Sequence, residues 1–146
     1  MNLSKVKYFL QLIAIAHIVG GVSLPFLVNT PIFATYNSRL YLALGFESTV
    51  QNPNINFLIG LFGPTIASWG VLFLYVVTTA FRDPDKGGWW AIFFSCMVWA
   101  PYDSLLSIQQ GIPINALINL VSASAILIPL FITRKYFFQS ENPTWQ

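Results

Sequence analysis

Residues 88–119 read GWWAIFFSCMVWAPYDSLLSIQQGIPINALIN, and the fold turns on how far the helix in this stretch continues. The run from Trp89 to Ile108 is apolar enough for a membrane span, yet it carries Asp103 near its far end. Ending the helix at Pro101 would leave the carboxylate outside the bilayer, but the remainder could not cross ~30 Å of hydrocarbon. Continued to Ile108, the helix is long enough and takes Asp103 in with it. Counted from Gly88 at about 1.5 Å per residue, Asp103 lies roughly 22 Å into the membrane, in its outer third. Aspartate has no long apolar stem on which to reach the headgroups, so it must face protein or water. A single intramembrane acid therefore calls for further helices around it.

The rest of the chain supplies them. Of its 146 residues 8% are charged and 55% hydrophobic, against roughly 25% charged in soluble domains. So few charges cannot clothe the surface of a soluble protein. The pattern predicts one integral membrane domain over residues 1–146, an all-α four-transmembrane-helix bundle with spans at about 8–28, 55–81, 88–108 and 114–133. Lys5 and Lys7 precede the first run. Cleavage of a leader at Ala14-Ile15-Ala16 would leave too short an apolar core upstream, so the run is read as a span. Asn29-Thr30-Pro31 ends it, because proline disfavours helical geometry in the residue before it. Residues 30–54 are too polar to span and too apolar for a solvent loop. They predict an interfacial amphipathic helix over about 36–44, packed on the helix ends or serving as a lid. In the second span Gly60, Gly63, Ala67, Ser68 and Gly70 predict close approach of another helix, and Pro64 a kink. Trp89 and Trp90 are expected at headgroup level.

Four spans place Lys5, Lys7, Arg82, Lys86, Arg134 and Lys135 on one side and Arg39 on the other. Basic residues concentrate on the cytoplasmic side, so both termini are expected in the cytoplasm and residues 30–54 outside. The net charge of +2 sits at helix ends and gives no basic surface for nucleic acid.

Trp99, Asp103, Ser107 and Gln110 fall near one face of the third span, and Asn115, Asn119 and Ser122 form a similar stripe on the fourth. The turn between them, Gln109 to Pro113, is short, so the two stripes must lie side by side in antiparallel helices. Tyr102 flanks the acid. Arg39, the lone outer cation, predicts a buried Asp103–Arg39 pair that fixes the lid; a ligand or proton site is the competing reading. His17, midway along the first span beside Gly20 and Gly21, is either a proton-handling or ligand-binding group or a neutral histidine in a glycine interface. The expected ligand-binding set is thus Asp103, His17, Trp99, Tyr102, Gln110, Asn115, Asn119 and Arg39.

Several chemistries find no residues to carry them. Cys96 is the single cysteine and His17 the single histidine, so neither an intramolecular disulfide nor a metal cluster is expected. The sequence holds no phosphate-binding Gly-rich loop, nucleophile elbow or HExxH motif, and Asp103 has no second intramembrane carboxylate for paired acid–base work. No catalytic residue, cofactor or metal is assigned, and no enzymatic reaction is indicated.

The motifs Ala16-His-Ile-Val-Gly-Gly21 and Trp99-Ala-Pro-Tyr-Asp-Ser104, followed by Gln109 and Gly111, resemble small four-helix bacterial inner-membrane proteins of unassigned role, some labelled cell division proteins. That resemblance implies a fold and a bacterial inner-membrane location and no mechanism. A fainter likeness in helix number and polar layout links the chain to sterol-isomerase-like and DoxX-like four-helix families. The first of these uses a second acidic residue that this chain lacks, so isomerase activity is not carried over. The expected partners are the lipid bilayer and a lipophilic small molecule, or a membrane protein partner or second copy; nucleic acid is not among them. The leading expectation is a protein that binds a lipid-like ligand in an outer-half polar pocket or acts as an accessory subunit. The alternatives are a small proton-coupled transporter, oligomeric because four short helices enclose little volume, and a membrane enzyme acting on a lipid or isoprenoid.

Overall fold

A computed structural model describes residues 2–47 and 53–138. These form five helices: α1 (Leu3–Leu27), α2 (Pro31–Ala43), α3 (Pro53–Ala80), α4 (Lys86–Gln109) and α5 (Pro113–Phe138). All but α2 are long and apolar enough to cross a membrane. The chain is a four-helix membrane bundle with a short helix between the first two spans.

The helices outrun the predicted spans, because apolar patterning marks the part that suits lipid whereas caps decide where a helix ends. Asn2 caps α1, its side chain accepting from the Ser4 N–H at 3.1 Å, so the helix starts before Tyr8 and includes Lys5 and Lys7. Asp85 caps α4 in the same way, accepting from the Gly88 N–H at 2.8 Å. α2 starts at Pro31, whose missing N–H costs nothing in a first turn. α2 and α4 end alike. Gly45 and Gly111 take the left-handed conformation, at φ 80° and 74°. Each then closes a Schellman motif: Phe46 N–H donates to the Tyr41 carbonyl at 2.8 Å, and Ile112 N–H to the Ser107 carbonyl at 2.8 Å. After the second motif Pro113 begins α5 at once, so α4 and α5 fold back as an antiparallel pair.

α1 packs along α3 with backbone in contact with backbone. A Cβ on Gly21 would lie 2.5 Å from both the Ala67 nitrogen and the Gly63 carbonyl oxygen. One on Gly63 would strike the Gly21 carbonyl oxygen and lie 2.9 Å from Pro25 Cδ; one on Gly70 would lie 2.9 Å from the Ile18 nitrogen. The small residues noted in the second span are therefore the seat of α1. Gln11 adds a hydrogen bond across this interface, its Nε2 donating to Thr78 Oγ1 at 2.9 Å.

The two helix pairs, α1 with α3 and α4 with α5, share one core only towards the end of the bundle that holds the 81–85 turn. There Val6 and Leu10, Phe73 and Val77, Ile92 and Cys96, and Ile126 and Leu130 pack as a continuous buried cluster. Trp89 belongs to it. It is 1% exposed, and its indole N–H donates to the Leu130 carbonyl at 3.1 Å, tying α4 to α5. Its neighbour Trp90 is 38% exposed. Both tryptophans stand near the start of α4, and Trp89 turns into the core while Trp90 does not. Consecutive residues point about 100° apart on a helix, so the pair cannot share one role.

Towards the other end, the buried cluster comprises Val28, Tyr41, Ile55 and Ile59 from α1, α2 and α3, with no member from α4 or α5. Here α2 is held by polar groups. Asn37 Nδ2 donates to the Val28 carbonyl at 2.7 Å, Tyr41 OH donates to Asn56 Oδ1, and Asn56 Nδ2 donates to Asn29 Oδ1 at 2.7 Å. The first of these bonds satisfies a carbonyl that α1 leaves free at its C-terminus.

The glycine contacts separate two adjacent positions. Gly21→Ala is expected to destabilise the detergent-solubilised protein by about 1–3 kcal/mol through overpacking. Gly20→Ala, with nothing within 4 Å of its added Cβ, is expected to be neutral or stabilising by up to about 1 kcal/mol through helix propensity. Denaturant unfolding of both variants checks the contrast.

Candidate functional site

Asp103 lies on α4 where α4 faces α5. Its Oδ2 accepts from Asn119 Nδ2 at 2.6 Å, and the same amide nitrogen is 3.2 Å from Ser104 Oγ. Asn119 is 4% exposed, so its amide is committed to this contact, whereas Asp103 is half-buried. The pairing follows from the turn. Asp103 precedes Gly111 by eight residues (111 − 103) and Asn119 follows it by eight (119 − 111), so a tight antiparallel reversal sets them opposite each other. Ser107, one turn further along α4, is buried in the same seam.

The Asp103–Arg39 pair is not formed. Among the described residues the ion pair present joins Arg82 to Asp83, at 2.9 Å on the surface. The reason lies in the rotation of α2. Asn37 and Tyr41, four residues apart, share the buried face, and Arg39 between them is turned roughly 200° from Asn37 onto the exposed side. Arg39 instead lines an open cleft of about 420 Å³ with Leu42 and Ala43 of α2 and residues Gln110 to Ile114 of the α4–α5 turn. Arg39 and Gln110 are thus brought together, and Asp103 does not line that cleft.

One turn below Asp103, Trp99 faces α3. Its ring centroid is 6.3 Å from that of Trp69, which stacks on Phe73 at 4.9 Å and 19° and lies 4.8 Å from the imidazole of His17. Three helices therefore contribute to one aromatic layer: His17 from α1, Trp69 from α3 and Trp99 from α4. His17 Nδ1 sits 2.8 Å from the Ile13 carbonyl oxygen, which can only accept, so Nδ1 carries the proton and in the neutral ring Nε2 presents a lone pair. Trp99 remains 37% exposed, leaving part of its ring free.

The remaining expected residues fall elsewhere. Tyr102 is 66% exposed on the outer surface of α4. Asn115 lies half-buried one turn before Asn119, its backbone N–H donating to the Ile112 carbonyl at 3.1 Å.

Trp69 and Ser104 join this region without having been anticipated. The signal for Trp69 is its position, since a tryptophan in mid-span is far from the headgroup level that tryptophan favours. The polar anchoring of α2 by the buried Asn37 and Asn56 was also missed; Asn37 and Tyr41 at i and i+4 on an otherwise apolar helix were its trace. Among the described residues, the buried Asn37 Oδ1 has no hydrogen-bond partner. Among the described residues no group of three His, Cys, Asp or Glu side chains is placed to hold a metal ion.

Comparison of the chain with protein families, with curated proteins and with solved structures found no match.

A double-mutant cycle isolates the Asp103–Asn119 contact. Asn119→Leu is expected to cost about 1–3 kcal/mol by leaving the half-buried Asp103 carboxyl without its donor, and the added Asp103→Leu is expected to recover most of it. Unfolding free energies that simply add would show that the bond contributes nothing to stability.

Proposed function

We propose that the chain is a multi-pass protein of the bacterial inner membrane that binds a lipid-like or small lipophilic ligand at Asp103, where α4 faces α5. The carrying observation is that Asp103, inside a membrane span, is oriented by an amide yet has no cation within ion-pairing distance among the described residues. A carboxylate at this depth is costly unless something neutralises it. A purely structural acid would be expected to have a cation built in beside it, and Arg39, the residue suited to that role, is turned away. The layer of Trp99, Trp69 and His17 one turn below supplies the apolar surface a lipophilic ligand needs. These features support a binding site more directly than an enzymatic one, because no second acid–base group is hydrogen-bonded to Asp103.

The basic residues Lys5, Lys7, Arg82, Lys86, Arg134 and Lys135 lie at one end of the four helices and Arg39 at the other. This distribution supports cytoplasmic termini, with α2 on the outer side. Cysteines introduced singly at position 84 and at position 39 test the orientation in intact cells against a membrane-impermeant maleimide. Labelling at 39 and protection at 84 is the expected result, and the reverse pattern would invert the topology.

Native mass spectrometry of the protein released from its own membrane in mild detergent tests the site. Wild-type protein is expected to retain a discrete small-molecule mass, and Asp103→Asn to lose at least about 90% of it, a tenfold loss of affinity being equivalent to roughly 1.4 kcal/mol. Equal retention by both forms would remove Asp103 from the site.

A further inference from the structure

We infer that the ligand class recognised at Asp103 is a lipophilic organic cation, held between the carboxylate and the exposed face of Trp99. The inference rests on the ligand-site reading above and narrows it to a charge type. Three observations converge. Asp103 carries the formal negative charge of the region, and its side chain accepts a hydrogen bond from the neutral amide of Asn119, which orients the carboxylate without cancelling its charge. Trp99, four residues earlier and so on the same face of α4, leaves part of its ring uncovered. Trp69 stands 6.3 Å from it across the seam. An indole face attracts a cation through its quadrupole, most strongly where water is scarce. A carboxylate beside indole faces therefore favours a positively charged, apolar molecule over a neutral or anionic one of the same shape.

The surroundings agree with this selectivity. The cationic side chain on the helix nearest this end, Arg39, lines the separate cleft at the α4–α5 turn. His17, also in the aromatic layer, directs its Nδ1–H at the Ile13 carbonyl of its own helix. The layer rests on the shared core through Trp69, which stacks on Phe73, while Asp103 is half-buried and Trp99 partly exposed, so both can be reached from the side of the bundle.

The experiment uses tetraphenylphosphonium and tetraphenylborate, which match in shape and apolarity and differ in the sign of their charge. Binding to the full chain in detergent is followed by calorimetry. Wild-type protein is expected to bind the phosphonium at least about tenfold more tightly than the borate, as attraction from both a carboxylate and an indole face implies. Asp103→Asn is expected to abolish that preference, and Trp99→Leu to weaken phosphonium binding several-fold while Trp99→Phe retains most of it. Equal binding of the two ions, no binding of either, or an undiminished preference in Asp103→Asn would overturn the cation assignment. Circular dichroism and gel filtration of each variant separate loss of binding from loss of fold. If phosphonium fails but native mass spectrometry still shows a ligand lost in Asp103→Asn, the site stands and its charge preference is wrong. If both fail, the site itself is wrong.

Discussion

The contact between the α1 and α3 backbones at Gly21, Gly63 and Ala67 governs the arrangement of everything else. In lipid, apolar side chains gain little by leaving their surroundings for one another, so helices associate through close packing and hydrogen bonds. Gly21 and Gly63 leave no room for a Cβ, and the two helices meet over a length that reaches from Gly70 beside Ile18 to Gly60 beside Pro25. Once α1 and α3 are locked, α2 has little choice of position. It must bridge their ends, and Asn37, Tyr41, Asn56 and Asn29 join it to them through side-chain hydrogen bonds.

That anchoring explains why the lid and the acid do not meet. The polar face of α2 is spent on α1 and α3, so Arg39 faces away and Asp103 turns to Asn119 on α5. The two halves of the bundle thus use their polar groups internally. They are joined mainly by the apolar core at the opposite end, where Trp89 hydrogen-bonds the Leu130 carbonyl and the Arg134 guanidinium lies 5.8 Å from its ring. Beyond that core the two halves meet along a seam, where Trp99 of α4 comes within 6.3 Å of Trp69 of α3.

His17, Trp69 and Trp99 show how such a seam acquires chemistry. None of them is exceptional within its own helix. Together they form a layer to which three helices contribute, one turn from a carboxylate that has no cation partner among the described residues. The amide of Asn119 orients Asp103, and the hydrogen bond to Ile13 orients His17. Both groups are therefore held in fixed orientations.

The class of protein, the number of spans and the side-by-side placement of the Asp103 and Asn119 stripes were legible in the residues themselves, whereas the partner expected for Asp103 was Arg39. Hydropathy is a local property, and a short turn centred on Gly111 transmits register directly between α4 and α5. The seat of α1 on Gly63 and Gly70 was half legible: small residues announced a close neighbour without saying which. Helix ends were read too short because Asn2 and Asp85 extend helices beyond the apolar stretch. What only the tertiary structure decided was rotation: that Arg39 faces away from the acid, that Trp89 is buried while Trp90 is exposed, and that Trp69 stands between His17 and Trp99. Those outcomes depend on the angular phase of helices separated by 30 residues or more in sequence, such as those bearing His17, Trp69 and Trp99. That phase is set by backbone contacts at a few glycines, and no local pattern encodes it.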